Sequence, residues 1–157
     1  MAGHLDFDAP NHPSARPNLT HMLFLDEHTR EFYVRWDDEA ARAVSSLRLI
    51  AGAAVDDPDL TELVGELTVK SREFSGLWSG HPVVNCVSGR KFLRHPEVGS
   101  LELDFEVLAS PDSSGHRVLM YTAEPGSAGY ETLQLLGSLV AERSGTAGSS
   151  EQLMGST

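Results

Sequence analysis

The sequence predicts an α+β fold in which helices pack on an antiparallel sheet of three to four strands. Three observations carry that expectation. Apolar residues recur at helical spacing from Asn18 to Gly80, alternate with a period of about two after Gly80, and return to helical spacing from Ala128. A run of helices followed by a run of hairpin-like strands, without strict alternation of the two, is the pattern of an α+β domain.

Residues 1–17 contain three prolines and no periodicity, and read as an irregular arm. Asn18 is placed to cap a helix carrying Leu19, Met22 and Leu23, and Asp26 to cap a second one that gathers Phe32, Tyr33 and Trp36. Asp37 or Asp38 opens the longest helix, to about Ala54. Its stripe is Ala40, Ala43, Val44, Leu47, Ile50, Ala51 and Ala54, with Arg42, Ser46 and Arg48 mostly away from it. Asp57 caps the next helix, with Pro58 at its first position and Asp59 at the positive end of its dipole. Leu60, Leu63, Val64 and Leu67 are its expected buried face. Ser71 caps a short helix in which Phe74, Leu77 and Trp78 share one side, and Gly80 ends it.

Residues 82–87 read as a peripheral strand. Residues 90–95 and 100–109 pair through the turn HPEVG, and Leu101, Leu103, Phe105 and Val107 alternate with Glu102, Asp104 and Glu106 as in a half-buried strand. Residues 116–123 (HRVLMYTA) form a strong apolar strand after the loop SPDSSG. The last helix runs from Ala128 to about Arg143 and is expected to bury Leu133, Leu136 and Val140. Residues 144–157 read as a flexible tail, being too poor in apolar side chains to order themselves. One folded domain over residues 18–143 is the expected organisation.

Charge narrows the partners. Twelve Lys and Arg against 23 Asp and Glu give a net charge of −11, which repels a phosphate backbone unless basic residues are concentrated in one patch. Arg90, Lys91 and Arg94 are the only candidates for such a patch, and direct nucleic-acid contact is not expected. No apolar run approaches the roughly 20 residues that span a bilayer, and the N-terminus lacks the pattern of a signal peptide. The single cysteine, Cys86, agrees with a reducing compartment, so a cytoplasmic location is expected.

Residues that could carry chemistry are sparse. His81, Cys86 and His95 lie near one another, but nothing completes a metal-ligand set. Cys86 sits among valines, as a buried thiol does, and no serine stands in a nucleophile elbow. The turn GSAG lacks the lysine of a phosphate loop. No catalytic residue, metal or cofactor is therefore expected. The aromatics are the better lead, since small-molecule sites are mostly apolar walls with a few polar groups to fix orientation.

Several blocks also occur together in a known family. NLTHMLFLDEHTREFYVRWDDEAARAVSSLR, DDPDLTELVGELTVKSREFSGLWSGHPV, GRKFLRHPEVGSLELDFEVL and VLMYTAEPGS closely resemble the MmyB-like ligand-binding domain, over about residues 18–140. The resemblance implies a PAS-like fold that senses a small apolar ligand such as a fatty acid. In that family the domain follows an XRE-type helix-turn-helix of bacterial transcription regulators. No helix-turn-helix is recognised here, and the irregular arm stands where the family has a further strand and helix. The expected function is thus a non-enzymatic ligand sensor separated from its DNA-binding half. Phe74, Trp78, Phe92, Phe105 and Tyr121 are the candidate apolar walls, with Tyr33, Arg94 and His95 as candidate polar contacts. The alternative is an interaction module that pairs with a second copy or a full-length relative through an exposed sheet edge.

Overall fold

The computed structural model describes residues 17–53, 56–80, 87–111 and 116–151, with side chains to residue 143. Each helix start follows a local rule. Asn18 Oδ1 accepts from the backbone N–H groups of Thr20 and His21 and opens α1 (Leu19–Leu25). Asp26 does the same for His28 and Thr29 at the head of α2 (Glu27–Phe32). Burial alone would raise the Asp26 pKa, but the Thr29 hydroxyl and these backbone donors together hold it below the usual value. The longest early helix, α3 (Trp36–Ala53), begins one residue before the expected Asp37, so Trp36 belongs to it rather than to α2. Asp57 and Pro58 open α4 (Pro58–Lys70) as predicted, and the Ser71 hydroxyl accepts from Phe74 N–H at 3.1 Å to start α5 (Arg72–Gly80).

Three antiparallel strands follow, in the order β1-β2-β3: β1 (Ser88–His95), β2 (Gly99–Ala109) and β3 (Arg117–Thr122). Gly99 closes the first hairpin with φ +77°, a conformation open to glycine at little cost. The register pairs Lys91 with Leu103, Leu93 with Leu101, and Phe105 with Tyr121, so these six side chains share one face of the sheet. The expected strand at residues 82–87 lies mostly outside the described residues.

Helices and sheet together form an α+β fold with two joined cores. In the helical core, Phe24 meets Trp36 and Phe74 edge-on at 5.7 and 5.1 Å, and Phe74 stacks on Trp78 at 5.5 Å. Leu93, Leu101 and Leu103 of the sheet bury Phe32 in the second, with Leu133 of the last helix against them. That helix, α6 (Ala128–Glu151), continues past the expected Arg143. Leu136 is buried as predicted, but Val140 is 47% exposed.

Strand β3 pairs with β2 only from Asp104 onward. Beyond that point the first turn of α6 comes up against Glu102. A methyl group on Gly129 would stand 2.2 Å from the Glu102 carbonyl oxygen, so helix or strand would have to move. Gly129→Ala is expected to cost about 1–3 kcal/mol, as overpacking does, read as a lower urea midpoint with an unchanged slope. Gly137→Ala, with open space around it, should be neutral or stabilising by up to about 1 kcal/mol from helix propensity.

Candidate functional site

The sheet's two faces divide the predicted residues. Adjacent residues on a strand point opposite ways, so Lys91 and Leu93 turn toward the helices while Arg90, Phe92 and Arg94 turn away. Arg90 is engaged by Glu102 at 2.6 Å and Asp104 at 3.0 Å on the outer face. Arg35 covers the Phe92 ring at 4.1 Å, and Arg94 is exposed. Arg90, Lys91 and Arg94 therefore do not form one basic patch. A hollow of about 390 Å³ lies beside Phe92 and the start of α6, walled in part by the ion-paired Arg90, Glu102 and Asp104.

A second cavity, of about 380 Å³, lies between the inner face of the sheet and helices α1 and α3. Its walls include Leu19, Leu23 and Phe32 from the first two helices, Ala43, Leu47 and Ile50 from α3, and Phe105, Leu119 and Tyr121 from the sheet. Tyr33, Phe105 and Tyr121 of the predicted set meet here. Phe74 and Trp78 do not reach it: both are committed to the helical core. His95 is buried at the hairpin turn, where its Nδ1 accepts from Glu97 N–H at 3.2 Å. Burial lowers its pKa, with Glu97 acting in the opposite direction.

Three charged side chains complete the cavity wall, and none was among the predicted site residues. Lys91 Nζ donates to Glu39 Oε2 at 2.5 Å, and Arg42 Nη1 donates to Glu39 Oε1 at 2.7 Å. Lys91 and Glu39 are 8% and 7% exposed, which buried charges sustain only when paired. The Lys91 ammonium also lies 5.0, 5.4 and 5.9 Å from the ring centroids of Phe105, Tyr33 and Tyr121, an aromatic cage whose ring faces attract a cation. Arg42 and Ser46, expected to lie away from the packed face, line the cavity instead, and Arg48 covers Trp78 at 4.3 Å. The reason is that α3 has two packed sides. Ala40 and Val44 enter the helical core, while Glu39, Arg42, Ala43 and Ser46, at three- and four-residue spacing, face the cavity.

The surroundings act on the phenols. Burial first, and then the Glu39 charge, pushes the Tyr33 pKa from 10.0 up to about 12. The Tyr121 pKa is also raised, mainly by burial. Ionisation is thus easier in the unfolded chain than in the folded one. The Tyr33 contribution to stability is expected to be complete below about pH 10 and to be lost as pH rises toward 12, the folded value. Unfolding followed across that window, with Tyr33→Phe as the reference, should show the loss in the parent chain and a smaller one in the variant.

The fold is thus an α+β domain in which helices cover one face of an antiparallel sheet and leave an aromatic cavity with a charged wall between them. The chain belongs to the MmyB-like transcription regulator ligand binding domain family, whose profile matches residues 1–136. The match begins well before Asn18, where the recognisable blocks start. This is a family of regulator ligand-binding domains rather than of enzymes. No curated protein and no solved structure gives a significant match. Among the described residues no group of three or more His, Cys, Asp or Glu side chains could hold a metal ion, and no helix is long and apolar enough to cross a membrane. His81 and Cys86 lie outside the described residues.

Proposed function

We propose that the chain is the sensing domain of a bacterial, XRE-type cytoplasmic transcription regulator, and that its ligand is a fatty-acid-like amphiphile held in the α1–α3–sheet cavity. The observation that carries this reading is the cavity itself. Its 380 Å³ falls within the roughly 300–1,000 Å³ of small-molecule sites. Its walls are mostly aromatic and aliphatic, and the charged groups on α3 and β1 can orient a polar head. Tyr33, Phe105 and Tyr121 form walls, and Lys91 with Arg42 supplies the cationic pole. Binding would act by favouring one arrangement of helices on the sheet over another, which a ligand can do only through a difference in affinity for the two.

Lipid extracted from protein purified under native conditions and identified by mass spectrometry should include a long-chain acid. Protein that carries no lipid, and that no fatty acid protects against thermal unfolding, would remove this reading.

A second reading has its own observation. Strand β3 lies at the sheet edge with Val118 58% exposed and Leu119 and Met120 also exposed. The stretch from Val118 to Thr122 contains none of the lysines or prolines that usually blunt an open edge. Strand addition from a second copy or a full-length relative would cover it. Sedimentation analysis decides: a chain that stays monomeric, alone and with the relative, excludes pairing.

A further inference from the structure

The Glu39 carboxylate occupies the place an acidic head group would need. One of its oxygens meets Lys91 and the other meets Arg42, so both cations of the cavity wall converge on this one side chain. The remaining near neighbours of the Lys91 ammonium are the rings of Tyr33, Phe105 and Tyr121. Ring faces attract a cation but do not replace the charge-assisted hydrogen bond that a carboxylate accepts. A ligand acid that reaches Lys91 comes up against the Glu39 carboxylate, and two carboxylates at one ammonium repel each other, so the two compete for it.

We propose that Glu39 is a built-in competitor for the ligand's acid group, and that its displacement unties α3 from β1. This rests on the cavity being an amphiphile site. Besides the contacts of Arg35 with Phe92 and of Tyr33 with Lys91, two ties hold the segment from Tyr33 to Glu39 to β1. One is backbone: Val34 N–H donates to Phe92 O at 3.0 Å, and Tyr33 bridges to Leu93. The other is the Glu39–Lys91 ion pair. An acid that replaces Glu39 leaves the first tie and breaks the second, so the first turn of α3 loosens. Glu39 stands there beside the exposed Asp37 and Asp38, close enough to water for its freed carboxylate to be solvated. A neutral amphiphile of the same length fills the cavity without this effect. Glu39 thereby makes the head group, rather than the apolar tail, the part of the ligand that is sensed.

Decanoic acid and decanol, titrated against the parent chain and Glu39→Gln, test the proposal. The variant should bind decanoic acid tighter by roughly tenfold or more, the scale of one charge-assisted hydrogen bond, with decanol unchanged. In the parent chain decanoic acid, but not decanol, should speed amide exchange in residues 36–42. Equal affinity of the acid for both proteins, or exchange that does not distinguish acid from alcohol, overturns the competitor role and leaves the amphiphile reading standing. Failure of both compounds to bind either folded protein overturns that reading and the proposal with it. Should Glu39→Gln fail to unfold cooperatively, exchange in the parent chain decides alone.

Discussion

Phe74→Ala is expected to destabilise the fold by about 3–5 kcal/mol, the range for removing a buried phenylalanine ring. The ring has no solvent exposure. It is also the middle of an aromatic chain, touching Phe24 edge-on and Trp78 face-on, and each such pair adds about 0.5–1.5 kcal/mol beyond area burial. Its loss leaves a cavity where α1, α3, α4 and α5 converge. Because domains of this kind are stable by only about 5–15 kcal/mol, the variant should be partly unfolded at modest urea concentrations. Val69→Ala is the control. Val69 is 87% exposed, and its truncation should change stability by no more than about 0.5 kcal/mol. A Phe74→Ala midpoint as close to the parent's as that of Val69→Ala would contradict the packing.

The second large effect is expected at Lys91. Lys91→Met leaves the buried Glu39 carboxylate with Arg42 as its remaining cation, and should cost about 3 kcal/mol, the low end for breaking a buried ion pair. Arg42, whose side chain is 25% exposed, is too well solvated to replace Lys91 fully. Removing the stranded charge as well, in Lys91→Met/Glu39→Gln, should restore more than half of the loss. Urea unfolding of the four proteins gives the coupling free energy directly, and strictly additive single effects would show that the pair is not coupled.

The parts of the fold legible in the sequence are those whose cause is local. Asn18, Asp26 and Asp57 were readable as caps because the hydrogen bonds that make them caps reach only two or three residues along the chain. The HPEVG hairpin was readable because alternation in residues 100–109 leaves one register that buries Leu101 and Leu103. That same register sets β1 against its own chemistry. It turns Lys91 inward and Phe92 outward, and each is then accommodated by a residue far away in sequence: Glu39 for the lysine, Arg35 for the ring. The charged wall of the site was hidden for this reason. Lys91 and Glu39 are 52 positions apart, and periodicity says which positions face inward without saying which polar groups meet there. Residues 117–122 show the converse. Their apolar run gave β3 correctly as a strand, but its position at the edge, and so its exposure, comes from the topology.

The backbone contacts of Tyr33 and Val34 on β1 have a consequence for any assembly built through this sheet. They occupy the middle of the β1 edge, whereas no strand pairs with the outer edge of β3 among the described residues. Among the described residues, β3 therefore offers the longer unpaired edge. Two copies joined β3 to β3, antiparallel about a two-fold axis, use up the open edge of each and present a blocked edge at either end. Pairing of that kind would be self-limiting at two chains, where a sheet open on both sides could extend into a fibre.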